Sequence, residues 1–162
     1  MNATAIELLR DGTRMCVRRI VPEDAVMEMA FITGLSPESR YRRFFSTMPH
    51  VTPEMVKRFT QIDDAHEMAL VAIHDEGKQT EAIVGVARYV READASSAEF
   101  AVVVADEWQA RGLATRLLER LIGCARTSGI SQLHGPVLAS NAPMLELMRH
   151  LGFTTRSSAD GA

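Results

Sequence analysis

With 162 residues, 46% of them hydrophobic and 24% charged, the chain has the size of one domain and room for a substantial core. Its formal net charge of −3 removes the electrostatic case for nucleic-acid binding, because no basic excess exists to neutralise phosphates. No apolar run approaches the roughly 20 residues needed to span a bilayer, and no basic-then-apolar leader opens the chain, so no membrane partner and a cytoplasmic location are expected.

Residues 13–20 read as a strand rich in stiff side chains. Residues 21–35 read as a helix, with Pro22, Glu23 and Asp24 suited to a first turn and Gly34 near its end. Two short helices follow: 37–45, which carries Arg40, Arg42 and Arg43 with Tyr41, Phe44 and Phe45, and 52–62, with Thr52 as cap and Pro53 after it. The apolar runs 67–75, 82–90 and 98–105 are strands, and the polar EGKQTE between the first two is a hairpin signal. Three successive strands predict an antiparallel meander.

A helix over 112–128, a strand over 131–139 and a helix over 142–151 complete the series. Strand, helix, strand in that order predicts a parallel pairing through a right-handed crossover. The fold class is therefore α/β: a mixed, mostly antiparallel central sheet flanked by helices, in one domain spanning 1–162. Cys16 and Cys124 lie far apart, and the five histidines form no HxxxH or HxH cluster. Buried thiols and no metal are the expectation.

The junction before the 112–128 helix raises a chemical question. Leu113, Leu117 and Leu121, with Ala114, Leu118, Ile122 and Ala125, form a buried stripe that explains the helix but not its start. The stretch QARGLA (109–114) places Gly112 where an ordinary cap would stand. Small residues there let successive N–H groups approach a ligand, and the positive end of the helix dipole favours an anion such as a phosphate. Arg111 and Thr115 could add donors. The bland alternative is that Gly112 only relieves a tight turn. The loop is not a P-loop, since no Gly-Lys-Ser/Thr follows, and GxGxxG is absent.

QARGLA in this place, followed by NAPMLELMRHLGF (141–153), resembles the GNAT superfamily of N-acetyltransferases over about residues 13 to 153. The first segment matches the superfamily's acyl-CoA pattern, and the second its Asn-containing helix that ends in Gly-Phe. The resemblance implies acetyl-CoA as co-substrate. Gln109, Ala110, Arg111, Gly112, Leu113, Ala114 and Thr115 would hold its pyrophosphate. The pantetheine arm would pair with main-chain groups of Val102, Val103 and Val104, one of whose amides would polarise the thioester carbonyl. Asn141 would bond the pantetheine arm or the reacting region, cap its helix, or do both.

LSPESRYRRFF (35–45), AEFAVVVADEWQARGLATRLLERLIGCAR (98–126) and VLASNAPMLELMRHLGF (137–153) are similar to the catalytic domain of Pat-type bacterial protein lysine acetyltransferases. That resemblance implies Glu99 as general base, directly or through water, and a protein lysine as acceptor, for example on an acyl-CoA synthetase. Read from the residues alone, Glu99 is a solvated carboxylate at a strand end. A small-molecule amine acetyltransferase and a non-catalytic acetyl-CoA-binding sensor are the alternatives.

Two departures from the superfamily stand out. The Tyr that many members carry seven residues after the Asn is Met148 here, as in the Pat-like group. The chain also ends at GFTTRSSADGA, where another strand is usual, so a partner chain, for instance a second copy in a homodimer, is expected to complete the sheet edge. Acceptor specificity is expected from 40–45: Arg40, Tyr41, Arg42, Arg43, Phe44 and Phe45 could line an acceptor surface with acidic preference. The alternative is aromatics in the core and arginines on a solvated helix face. The expectation is Phe44 and Phe45 in the core and at least one arginine exposed. Trp108 is expected to pack, with shielding of the CoA mouth as the alternative. His66 is expected to be structural, with the acceptor cleft as the alternative, and Cys124 is expected to lie away from the cleft.

Overall fold

The computed structural model describes residues 4–46, 50–75, 80–94 and 96–158. Among these residues six strands form one sheet in sequence order: β1 (Ala5–Leu8), β2 (Arg14–Arg19), β3 (Glu67–Asp75), β4 (Glu81–Arg91), β5 (Ser97–Val104) and β6 (Gln132–His134). All neighbours pair antiparallel except β5 and β6, which are parallel. The mixed sheet, the meander of β3, β4 and β5, and the parallel last pair match the sequence reading.

β3 is buried from Ala69 to Ile73 and β4 from Ile83 to Ala87, because helices cover both faces of the sheet there. On one face lies α4 (Leu113–Thr127), whose Leu113, Leu117, Leu118 and Leu121 are each no more than 1% exposed. On the other lie α1 (Ala25–Gly34), α2 (Pro37–Phe44) and α3 (Pro53–Thr60). The residues 22–24 expected in α1 instead form a separate 3-10 turn. Ser36 and Thr52 cap α2 and α3 by accepting from Ser39 N at 3.1 Å and Met55 N at 3.2 Å.

Three expectations need correction. β1 was not expected as a strand; its Glu7 points inward to Arg120 on α4, while Ile6 and Leu8 face solvent. β6 has three residues rather than the nine expected. Its pairing stops at Glu99↔His134, where the backbone of Gly135 meets β5: a Cβ added at Gly135 would lie 2.6 Å from the Phe100 carbonyl oxygen. Phe45 is 38% exposed at the left-handed end of α2, outside the core, whereas Phe44 stacks on Phe59 at 6.0 Å. No strand occurs in residues 154–158, and residues 159–162 lie outside the described set.

The parting of β5 and β6 positions the site. From Phe100 to Val104, β5 pairs with β4 along one edge and, among the described residues, has no strand along the other. α5 (Ala142–His150) and the segment before it stand across the opening.

Candidate active site

The turn into α4 is built from backbone that side chains ordinarily avoid. Ala110 has φ 61° and Gly112 has φ 87°, so two left-handed residues bracket Arg111. Left-handed Ala costs about 1–2 kcal/mol, a strain that the surrounding turn must hold in place. Gly112 is the N-cap and supplies no side-chain cap, and the first turn carries no acid. Arg116 N–H is the first of α4 to reach a helical carbonyl, that of Gly112 at 3.2 Å. The amides of Leu113, Ala114 and Thr115 therefore point out of the helix end, where an anion can accept from them.

This turn opens into a cleft of about 280 Å³. One wall is the unpaired edge of β5, from Phe100 to Val104, and the opposite wall carries Pro136, Val137, Asn141, Met144 and Leu147. Of the residues expected at a cofactor site, Val102, Val103, Val104, Gln109, Ala110, Gly112, Leu113, Ala114, Thr115 and Asn141 all line it. Arg111 does not. Its guanidinium lies over the Trp108 ring at 4.5 Å, faces Asp11 at 3.8 Å, and lines an adjoining hollow with Thr115 and Arg116.

Two of the lining side chains also have internal tasks. Gln109 Nε2 donates to the Val104 carbonyl at 3.0 Å and to Ser39 Oγ at 3.2 Å, so it clamps the end of β5 to α2. Asn141 Oδ1 accepts from Met144 N at 3.3 Å, which is the helix-cap role, while the residue remains part of the cleft wall.

Glu99 stands at the last position of β5 that pairs with β6, one residue before the open edge begins, and its side chain is exposed. It lies outside the lining of the cleft. With Ala101 it occupies the strand face opposite Phe100 and Val102. Ala101 pairs with Arg88, whose side chain reaches α3 at the Phe59 carbonyl. Arg43 on α2 feels the Glu99 charge.

Of the remaining candidates, His66, Cys124 and Met148 fall outside the cleft lining, whereas Trp108, Arg42 and Arg43 belong to it. His66 pairs with Asp63 at 2.8 Å and is exposed. Cys124 sits half-buried on α4, where burial pushes its thiol up. Met148 is 3% exposed in the core. Trp108 is 7% exposed, packs against His74 at 4.5 Å, and contributes to the cleft wall as well. Among the described residues no group of three or more His, Cys, Asp or Glu could hold a metal, and no helix is long and apolar enough to cross a membrane.

Sequence reasoning missed two features. The tip of the β1–β2 hairpin puts Arg10 over Gly112: a Cβ on Gly112 would lie 3.4 Å from Arg10 Nε. Asp106 accepts from Ser36 N at 3.0 Å, Ser36 Oγ at 2.7 Å and Ser39 Oγ at 3.0 Å. Burial works to raise its carboxyl, but these donors outweigh it and hold the group below the usual range. Asp106, just before the loop, thus ties the start of α2 to the turn into α4. The only signal for it in sequence was an Asp some seventy residues from two serines.

A family model described as the acetyltransferase (GNAT) domain matches residues 14–154. Acetyltransferase PA5475 of Pseudomonas aeruginosa is 34% identical over 156 residues, covering 96% of this chain and 83% of that protein. Acetyltransferase Pat of Mycolicibacterium smegmatis is 30% identical over 145 residues, which are 89% of this chain and 42% of that protein. The crystal structure of the GNAT domain of S. lividans PAT matches with a TM-score of 0.88 at 35% identity, covering 98% of this chain and 92% of that one.

Proposed function

We propose, from the premise that this chain belongs to the GNAT acetyltransferase family, that it acetylates a lysine side chain of a protein in the cytoplasm, with Glu99 as the base. The chain is an N-acetyltransferase, and acetyl-CoA is the co-substrate of its family. Two features fit that co-substrate. The uncapped start of α4, with Arg10 above it, offers amides and a cation to a diphosphate. The open edge of β5 offers main-chain groups to an extended amide-bearing arm, in the place a strand would take.

Acetyl-CoA supplies an acyl group activated as a thioester. The chain must then bring a neutral amine to it. A lysine amine has an ordinary pKa near 10.4, so at neutral pH it arrives protonated, and a nearby carboxylate speeds its deprotonation. Glu99 meets that need at the end of the open edge. Met148, packed in the core, supplies no proton at the place where other members carry a Tyr.

The observation that carries the protein-lysine reading is the exposure of Glu99 outside the cleft wall. A base at an open surface suits an amine presented by a large acceptor, whereas a small amine calls for an enclosing pocket. The similarity to Pat-type proteins supports the same reading. Incubation with labelled acetyl-CoA and a cell lysate tests it: label on protein lysines is expected. Label on small amines alone would favour the small-molecule alternative, and binding without transfer would favour a sensor module.

A further inference from the structure

The mechanism leaves one charged group of the cleft without a task. Arg43 lines the cleft beside Ser39, Phe100 and Ala101. Among the described residues it makes no hydrogen bond and no ion pair, and its guanidinium rests 4.6 Å from the Phe44 ring centroid. Its neighbours on α2 are engaged. Arg42 pairs with Glu38 at 2.9 Å, and Arg40 donates to the Thr33 carbonyl at 2.6 Å.

Behind Arg43 lies Arg88, whose side chain is 11% exposed and turned inward. It donates to the Phe59 carbonyl at 3.2 Å, lies over the Phe59 ring at 4.9 Å, and faces Glu28 Oε2 at 4.0 Å. That Glu28 oxygen is buried and has no hydrogen-bond partner. Arg88 faces this buried carboxylate and feels Glu67 as well, whereas Arg43 feels Glu28 and Glu99 without an ion pair to either among the described residues, so its guanidinium is left to the cleft. Burial first, and Arg88 next, push the Arg43 guanidinium down to about 10, so it stays charged at neutral pH in surroundings that oppose the charge. Glu99 is near enough to be felt but forms no ion pair with it among the described residues.

We propose that Arg43 reads an anionic group on the acceptor: the carboxylate of an Asp or Glu standing beside the target lysine. A guanidinium presents a planar fork that a carboxylate matches with two parallel hydrogen bonds. A lysine with an acidic neighbour carries two opposite charges a few ångströms apart. Glu99 on β5 and Arg43 on α2 present the complementary pair, the amine going to Glu99 and the carboxylate to Arg43. The inference rests on the protein-lysine reading of the same site and names the kind of sequence that reading should select.

The test is a map of the lysines labelled in a cell lysate by the full chain with labelled acetyl-CoA, compared with the map from Arg43→Gln. Native label is expected on lysines enriched in Asp or Glu within two positions. The variant is expected to label less and to lose at least about fivefold of that enrichment, since a charge-assisted pair accounts for roughly a tenfold preference. A melting temperature within about 2 °C of the native protein's checks that the variant is folded, and calorimetry with acetyl-CoA reads whether it still binds the donor.

Labelled lysines without acidic neighbours, or enrichment unchanged in the variant, would overturn the role of Arg43 and leave the lysine reading standing. Acetyl-CoA binding with no lysine labelled would overturn both. Should Arg43→Gln fail to bind acetyl-CoA, Arg43→Lys replaces it. A point charge in place of the fork should weaken the enrichment about threefold, and undiminished enrichment would overturn the proposal. A shift in preference toward other acyl-CoA donors, with acidic enrichment intact, would assign Arg43 to the acyl group and overturn it as well.

Discussion

Arg10 covers Gly112: a Cβ placed on this glycine would sit 3.4 Å from Arg10 Nε, on a backbone whose φ of 87° already disfavours side chains. The hairpin tip and the helix start thus form two sides of one cradle. A branched side chain at Gly112 would strain the turn by about 1–2 kcal/mol and stand between the amides and the cation. Gly112→Val should weaken acetyl-CoA binding at least about tenfold by calorimetry. An unaltered affinity would remove the phosphate site.

Arg10 itself is exposed and makes no hydrogen bond or ion pair among the described residues, so its removal disturbs little else. Arg10→Ala should lower acetyl-CoA affinity about fivefold, near 1 kcal/mol, at low salt and less at high salt, where the charge is screened. The melting temperature should stay within about 1 °C. Equal affinities of the two proteins at low salt would show that the hairpin plays no part in binding.

Glu99→Gln keeps the shape of the side chain and removes its basicity. A general base contributes about 10²–10⁴-fold, so steady-state turnover on a protein acceptor should fall by at least about tenfold. Acetyl-CoA affinity should change less than about threefold, because Glu99 stands outside the cleft lining. Equal turnover would end the case for Glu99 as base.

Gly135 abuts β5 where the two strands part. An alanine methyl 2.6 Å from the Phe100 carbonyl oxygen would press backbone on backbone, with no flexible side chain to yield. Overpacking of this kind costs about 1–3 kcal/mol. Gly135→Ala should lower the melting temperature by about 2–10 °C and weaken acetyl-CoA binding through the displaced edge. A variant that melts with the native protein would show that the approach is looser than described.

Asp24, 2% exposed, binds Arg18 through two contacts of 2.8 Å and accepts from Val21 N at 2.9 Å. Burial works to raise its carboxyl, but Arg18 and the Val21 amide outweigh burial and hold it below the ordinary value. The carboxylate therefore stabilises the fold in full above its unfolded value near 3.9, and this stabilisation is lost as pH falls through the lower folded value. Asp24→Asn should melt several degrees lower at pH 7, for a cost of about 2 kcal/mol, with the gap closing toward pH 2. A gap of the same size at both ends of that range would contradict this account.

Most of the sheet and most of the cleft lining are legible in the sequence, for reasons visible in particular residues. The leucines of α4 repeat at helical spacing because each turn buries the same side, and β3 and β4 read as strands because both their faces are covered. β1 escaped notice because its pattern is inverted: Ile6 and Leu8 face water, while Glu7 turns inward to an arginine more than a hundred positions away. β6 is shorter than the 131–139 run suggests because nothing in that run announces that Gly135 meets the Phe100 carbonyl.

By itself the sequence determined the order of elements, the strand meander and the uncapped glycine turn that suits a diphosphate. Each of these depends on side-chain spacing over a few consecutive residues. Only the tertiary structure decided that Arg10 overhangs that turn, that Gln109 and Asp106 tie it to α2, and that Arg43 stands at the cleft with no hydrogen bond or ion pair among the described residues. Those relations join segments brought together by packing around the sheet, and the free energy that sets them is shared by the whole core rather than carried in any local run.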